Sequence, residues 1–101
     1  MVSDNITEMV TALGNALRRK GWTVSSAESC TGGGVAFAFT SIAGSSDWFN
    51  QSWVTYSNDA KIRELAVKPE TLNAHGAVSM QTVEEMAAGV KHKSDANVVV
   101  T

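Results

Sequence analysis

The run Trp22-Thr23-Val24-Ser25-Ser26-Ala27 leads into Glu28-Ser29-Cys30-Thr31-Gly32-Gly33-Gly34 and then into Val35-Ala36-Phe37-Ala38-Phe39. The first run carries β-branched Thr23 and Val24 and has the length of a short strand. The second is polar, small and glycine-rich, which marks a tight turn. The third is apolar but so rich in small residues that its period does not separate strand from helix. The glycines directly after a strand favour the start of a buried helix. Strand, tight turn and helix in that order form half of a β-α-β unit.

Working outward, Ile6, Met9, Val10, Leu13 and Leu17 recur at helical spacing. Ser3 or Asp4 caps that helix and Gly21 stops it. Downstream, Ala43-Gly44-Ser45-Ser46 reads as a loop and Trp53-Val54-Thr55-Tyr56 as a second strand. Asn58 is expected to cap a short helix through Leu65. Pro69 suits the first turn of another helix, through about Ala74, with Gly76 as its end. Ser79 then caps a longer helix with Val83, Met86, Ala87 and Val90 on one face. The unalternating run Asn97-Val98-Val99-Val100-Thr101 predicts a strand buried on both faces, as a central parallel strand is.

The resulting order, α-β-α-β-α-α-α-β, predicts a single α/β domain over 1–101. Its architecture is a three-layer α/β/α sandwich with a largely parallel or mixed sheet. The most core-like strand is the last, and such a strand needs neighbours on both sides. More sequence is therefore expected to belong to the domain, which is read as truncated at its C-terminus. Trp48, Phe49 and Trp53 form an aromatic cluster, belonging either to the core or to an interface. A homo-oligomer is expected, because small α/β domains with exposed apolar edges often pair.

Composition narrows the function classes. Of 101 residues, 44% are hydrophobic and 18% charged, as in an ordinary globular protein. The net charge is −2, and the one basic run, Arg18-Arg19-Lys20, falls at a helix end, where cations suit the dipole. No aromatics interleave with basic residues, so nucleic acid is not expected as a partner. No apolar run reaches membrane-spanning length and no signal peptide is visible, so no membrane association is expected. A lone Cys30 excludes an intramolecular disulfide and reads as cytoplasmic. His75 and His92 lack partners at metal-ligand spacing, so neither is expected to hold a metal.

The turn at Ser29 is the candidate site. A side chain at such a turn projects from the carboxyl end of the sheet, where ligands bind in open α/β folds. Backbone amides at a helix start can hold an anion or a developing oxyanion. Taken alone, Ser29 or Thr31 is equally readable as a helix cap. A second group, Tyr56-Ser57-Asn58-Asp59-Ala60-Lys61, follows the second strand. If the two strands are adjacent and parallel, Tyr56 and Lys61 reach the rim that carries Ser29. Lys61 is then either a solvated surface lysine or a general base for the serine, as in Ser-Lys hydrolases. Glu28 either holds the turn or pairs with a cation, and Cys30 is a rival nucleophile.

With these residues the chain resembles the C-terminal domain of the competence/damage-inducible CinA proteins, a family that includes stand-alone nicotinamide mononucleotide (NMN) deamidases. The matching stretches are Ala27-Glu28-Ser29-Cys30-Thr31-Gly32-Gly33, Ile42-Ala43-Gly44-Ser45-Ser46, Val54-Thr55-Tyr56-Ser57-Asn58 with Ala60-Lys61, and His75-Gly76-Ala77-Val78-Ser79. The resemblance implies an amidohydrolase that converts NMN to nicotinic acid mononucleotide and ammonia in pyridine nucleotide recycling. It implies Ser29 as nucleophile, Lys61 as base and Tyr56 as an assisting residue, with no cofactor. Cys30, Thr31, Gly32 and Gly33 would bind the substrate and its oxyanion. Ser45 and Ser46 are candidates for the phosphate or only a turn, and Asn58 either positions substrate or caps its helix. The family domain continues about half as long again, with further basic and apolar site residues, so the chain matches roughly its first two thirds. Ser52 stands where many relatives have glycine. A catalytically inactive nucleotide-binding or interaction module of the same family is the alternative.

Overall fold

The computed structural model describes residues 2–101. Among them, helices α1 (Asp4–Lys20), α2 (Gly34–Thr40), α3 (Asn58–Leu65), α4 (Pro69–His75) and α5 (Met80–Ser94) alternate with strands β1 (Val24–Glu28), β2 (Phe49–Val54) and β3 (Val98–Val100). The sheet order is β2-β1-β3, and both pairings are parallel. α1 and α2 cover one face of the sheet. Their core is Val10, Leu17, Val24, Phe39 and Trp48. α3, α4 and α5 cover the other, around Ala27, Leu65, Val67, Leu72, Met86 and Val90. This is the expected three-layer sandwich. Full burial of side chains such as Val24, Leu65 and Val90 contributes about 1.5–3 kcal/mol each.

The helix ends follow local chemistry. Ser3, Ser57 and Ser79 each accept a backbone N–H into the first turn of α1, α3 and α5. The cap of α3 is therefore Ser57, and Asn58 is the first helical residue, exposed to solvent. A serine one residue earlier reaches the third amide beyond it and outcompetes the asparagine.

In the described sheet the valine run of β3 pairs with β1 alone. β1 holds the centre, buried at every position, while β3 lies at the edge of this sheet with Val100 at the surface. Burial of β1 was obscured by its serines. Ser26 Oγ is satisfied by Ser52 Oγ at 3.0 Å, whereas the Ser25 hydroxyl is buried without a hydrogen-bond partner. The aromatic cluster is also divided. Trp48 and Phe49 pack edge-on against Phe39 on the α1/α2 face, whereas Trp53 packs with the α3–α5 core. Phe49 and Trp53, four positions apart, would share a face in a regular strand, but the register shift between the Val24–Phe49 and Ser26–Ser52 pairs gives β2 one extra residue and reverses the alternation.

Candidate active site at the end of the central strand

β1 ends at Glu28, and its ladder to β2 continues one step further, with the Thr55 N–H donating to the Glu28 carbonyl at 2.9 Å. The parallel register thus brings Thr55 and Tyr56 beside Ser29. α3 starts at once, capped by Ser57, and Lys61 falls in its first turns, facing back toward the sheet. The Lys61 side chain has no exposed surface. Its Nζ lies 3.0 Å from Ser29 Oγ and donates to the Thr55 carbonyl at 2.8 Å and to the Tyr56 carbonyl at 3.2 Å. Ser29 Oγ in turn lies 3.5 Å from the Tyr56 carbonyl oxygen. Burial pushes the Lys61 amine below its ordinary value, while the Coulombic influence of nearby Cys30 works against that shift.

The turn itself is built on Glu28. Glu28 Oε1 accepts from Thr31 Oγ1 at 2.6 Å, the Gly33 N–H at 3.2 Å and the Val35 N–H at 3.0 Å, and Oε2 accepts from the Ala36 N–H at 2.8 Å. Burial by itself would raise this carboxyl. The four hydrogen bonds outweigh it and hold the group below the usual carboxylate range. Gly33 adopts φ +107° at this bend, a conformation open to glycine and strained for other residues. The Gly32 N–H bonds the Ser29 carbonyl and the Gly34 N–H the Thr31 carbonyl. The N–H groups of Cys30 and Thr31 have no protein acceptor among the described residues.

Beyond the carboxyl ends of β1 and β3 opens a cleft of about 530 Å³. In the order β2-β1-β3 this is where the connections diverge, the position at which open α/β sheets bind ligands. Ser29, Cys30 and Thr31 line one side, and Ala77, Val78, Met80, Val83 and Met86 line the other. Among the described residues no lysine, arginine or histidine lines it. The Gly76 carbonyl accepts from Ser79 Oγ at 3.0 Å and Thr82 Oγ1 at 2.7 Å, which fixes the Ala77–Ser79 wall.

The expected site residues divide into two groups. Ser29, Cys30, Thr31, Gly32, Gly33, Tyr56, Asn58 and Lys61 share one rim. Tyr56 meets the serine and the lysine through its carbonyl, while its phenol is solvent-exposed. Ser45 and Ser46 lie at the other end of the sheet. They precede Trp48, whose carbonyl accepts from the first N–H of β1, and their loop is tied to α1 by Arg18 donating to the Gly44 carbonyl at 2.8 Å. A strand of five residues, about 16 Å long, separates them from Ser29. Sequence reasoning missed the Thr55 carbonyl and gave no role to the wall around Val78. The motif His75-Gly76-Ala77-Val78-Ser79 was the available signal for the wall. A carbonyl leaves no signal in a sequence. His75 and His92 are both exposed.

No helix among the described residues is long and apolar enough to cross a membrane. The chain is 52% identical over its whole length to a protein of Enterobacter agglomerans named nicotinamide-nucleotide amidohydrolase PncC, of which it covers 62%. It is 46% identical to the protein of that name from Escherichia coli K12, covering 61% of it. A competence/damage-inducible protein from Agrobacterium tumefaciens superposes with a TM-score of 0.95 at 44% identity, over 99% of this chain and 61% of that one. The chain thus spans somewhat less than two thirds of the length of these relatives. The family described as the CinA C-terminal domain matches residues 6–101, and with the fold and the Ser29 turn in agreement, this chain belongs to the CinA C-terminal domain family.

Proposed function

We propose that the chain carries the nucleophile and base of an amidohydrolase that converts NMN to nicotinic acid mononucleotide and ammonia. The single observation that supports this most is the 3.0 Å contact between a fully buried lysine amine and Ser29 Oγ. A neutral amine has two N–H donors and one lone pair. The Thr55 and Tyr56 carbonyls are two acceptors for the donors, which leaves the lone pair for the Ser29 hydroxyl proton. Cys30 is exposed and has no hydrogen bond to Lys61, so the serine is the better placed nucleophile.

In this reading Lys61 removes the Ser29 proton as Oγ attacks the carboxamide carbon. The tetrahedral oxyanion takes the free N–H groups of Cys30 and Thr31. Lys61 returns the proton to the departing nitrogen, which leaves as ammonia. Water then attacks the acyl-enzyme with Lys61 again as base. Collapse frees the carboxylate and restores the serine hydroxyl. Tyr56 assists through its carbonyl, which orients the amine. The apolar wall around Val78 and Met80 fits the flat ring that bears the amide. The setting is cytoplasmic, in keeping with a lone unpaired cysteine.

Ammonia release from NMN, measured for the chain and for Ser29→Ala, tests the reading. Release that vanishes with Ser29→Ala while the fold persists supports it, and release that survives overturns the serine assignment. The absence of a cation from the cleft lining favours a second reading, a binding or interaction module without turnover. NMN binding by calorimetry with no ammonia formed would select it.

A further inference from the structure

Glu28 is buried yet has no ion-pair partner among the described residues. Its carboxylate instead receives four hydrogen bonds from the turn and the start of α2. Its main chain has a second task. The Glu28 carbonyl accepts from the Thr55 N–H at 2.9 Å, and the Thr55 carbonyl is itself an acceptor for Lys61 Nζ. One residue therefore ties the turn that carries the nucleophile to α2 through its side chain. It ties the same turn through its backbone to the segment that holds the base.

Resting on the Ser29/Lys61 reading above, we propose that Glu28 is a positioning residue for the nucleophile, its carboxylate locking the Ser29–Gly33 turn against α2 so that Ser29 Oγ stays within reach of Lys61. It touches no substrate and acts through Ser29. The lock also uses up the N–H groups of Gly33, Val35 and Ala36. The start of α2 is thereby closed to a substrate phosphate or an oxyanion, and only the Cys30 and Thr31 amides remain.

The test uses a fluorophosphonate probe, so that the nucleophile is read without any assumption about substrate. Ser29 Oγ bonds to phosphorus, the P–F bond breaks, fluoride leaves, and the serine proton passes by way of Lys61 to solvent. Labelling rates are measured per folded molecule, against pH, for the wild-type chain, Glu28→Gln, Thr31→Val and Thr31→Ser, with NMN turnover alongside. Glu28→Gln keeps the shape but turns an amide N–H toward a backbone donor. Its rate is expected to fall by at least about tenfold, as a misplaced nucleophile requires. The alkaline limb set by Lys61 should stay where it is, because Glu28 acts by geometry. NMN turnover should lose kcat, with KM within about threefold. Thr31→Val, which removes the hydroxyl donor to Glu28, should fall between wild type and Glu28→Gln, and Thr31→Ser, which keeps the donor, should recover most of that loss. A role confined to stability would lower melting and leave the rate per folded molecule untouched.

Rates within about twofold of wild type for both Glu28→Gln and Thr31→Val overturn the proposal. So does a displaced alkaline limb in Glu28→Gln, which would mean action through charge. If Glu28→Gln does not fold, the contrast between Thr31→Val and Thr31→Ser decides. Wild-type labelling at Ser29 without ammonia from NMN defeats the amidohydrolase reading and leaves the positioning role to be decided by the labelling rates. A wild-type chain that fails to label defeats both.

Discussion

Lys61 Nζ lies 3.0 Å from Ser29 Oγ although thirty-two positions separate the two residues, and the lysine side chain is wholly shielded from solvent. An ammonium ion in that place must be stripped of water with only hydroxyl and carbonyl oxygens to compensate. Burial there disfavours the charged form and lowers the pKa of the amine. Replacing the lysine by methionine, of similar length and no basicity, should reduce ammonia release by about 10²–10⁴-fold, the range for loss of a general base. Circular dichroism should show the fold retained. Turnover within a few fold of wild type would remove Lys61 from the chemistry.

The same burial fixes a pH dependence. Lys61 has a folded-state pKa below its unfolded value. Between the two values the unfolded chain binds more protons, so this group makes stability rise with pH across that window, complete only above the unfolded value of about 10.4. Activity that needs the neutral amine should rise with pH through the lower, folded-state value. A pH–rate profile for the wild-type chain beside Lys61→Met checks this, since the limb should be missing from the variant.

Glu28 acts in the opposite window. Its folded-state pKa lies below that of an ordinary glutamate because four donors stabilise the carboxylate. Its stabilisation is fully present above the unfolded value and is lost as pH falls through the folded value. Glu28→Gln should lower stability at neutral pH by about 1.5–3 kcal/mol, the scale of a hydrogen bond to a charged group. Denaturant unfolding between neutral and acid pH should show a shallower acid loss in the variant.

The helix layer over the α3–α5 core has one point of closest approach. A Cβ built on Gly89 of α5 would collide with the Leu65 carbonyl oxygen at the end of α3, which is rigid backbone. Gly89→Ala should therefore destabilise by about 1–3 kcal/mol, as overpacking does. An unchanged denaturation midpoint would mean that α5 shifts freely over α3.

Ser46 provides a control at the far end of the sheet. It is exposed and separated from Ser29 by the length of β1. Ser46→Ala should leave KM for NMN within about twofold of wild type. A large rise in KM would return this loop to the substrate, through a second copy of the chain.

Much of the architecture could be read from residue order and residue type. The helical spacing of Ile6 to Leu17, the serine caps, Pro69 at a first turn and the glycine stops are local effects, decided within a few residues, and α1, α4 and α5 formed where they predict. The order of elements carried the layered α/β class, and the strand–turn–helix around Ser29 marked the rim. What the tertiary structure alone decided were matters of partnership between distant segments. The parallel register of β1 with β2 placed Lys61 behind Ser29 and Ser46 at the opposite end. Burial of the serine-bearing β1 followed from its place between β2 and β3. The four bonds of Glu28 and the acceptors of Lys61 are mostly backbone groups, which every residue possesses. Local propensity acts through the side chain and its nearest neighbours and can be read along the chain. Register, burial and backbone acceptors arise only when remote segments meet.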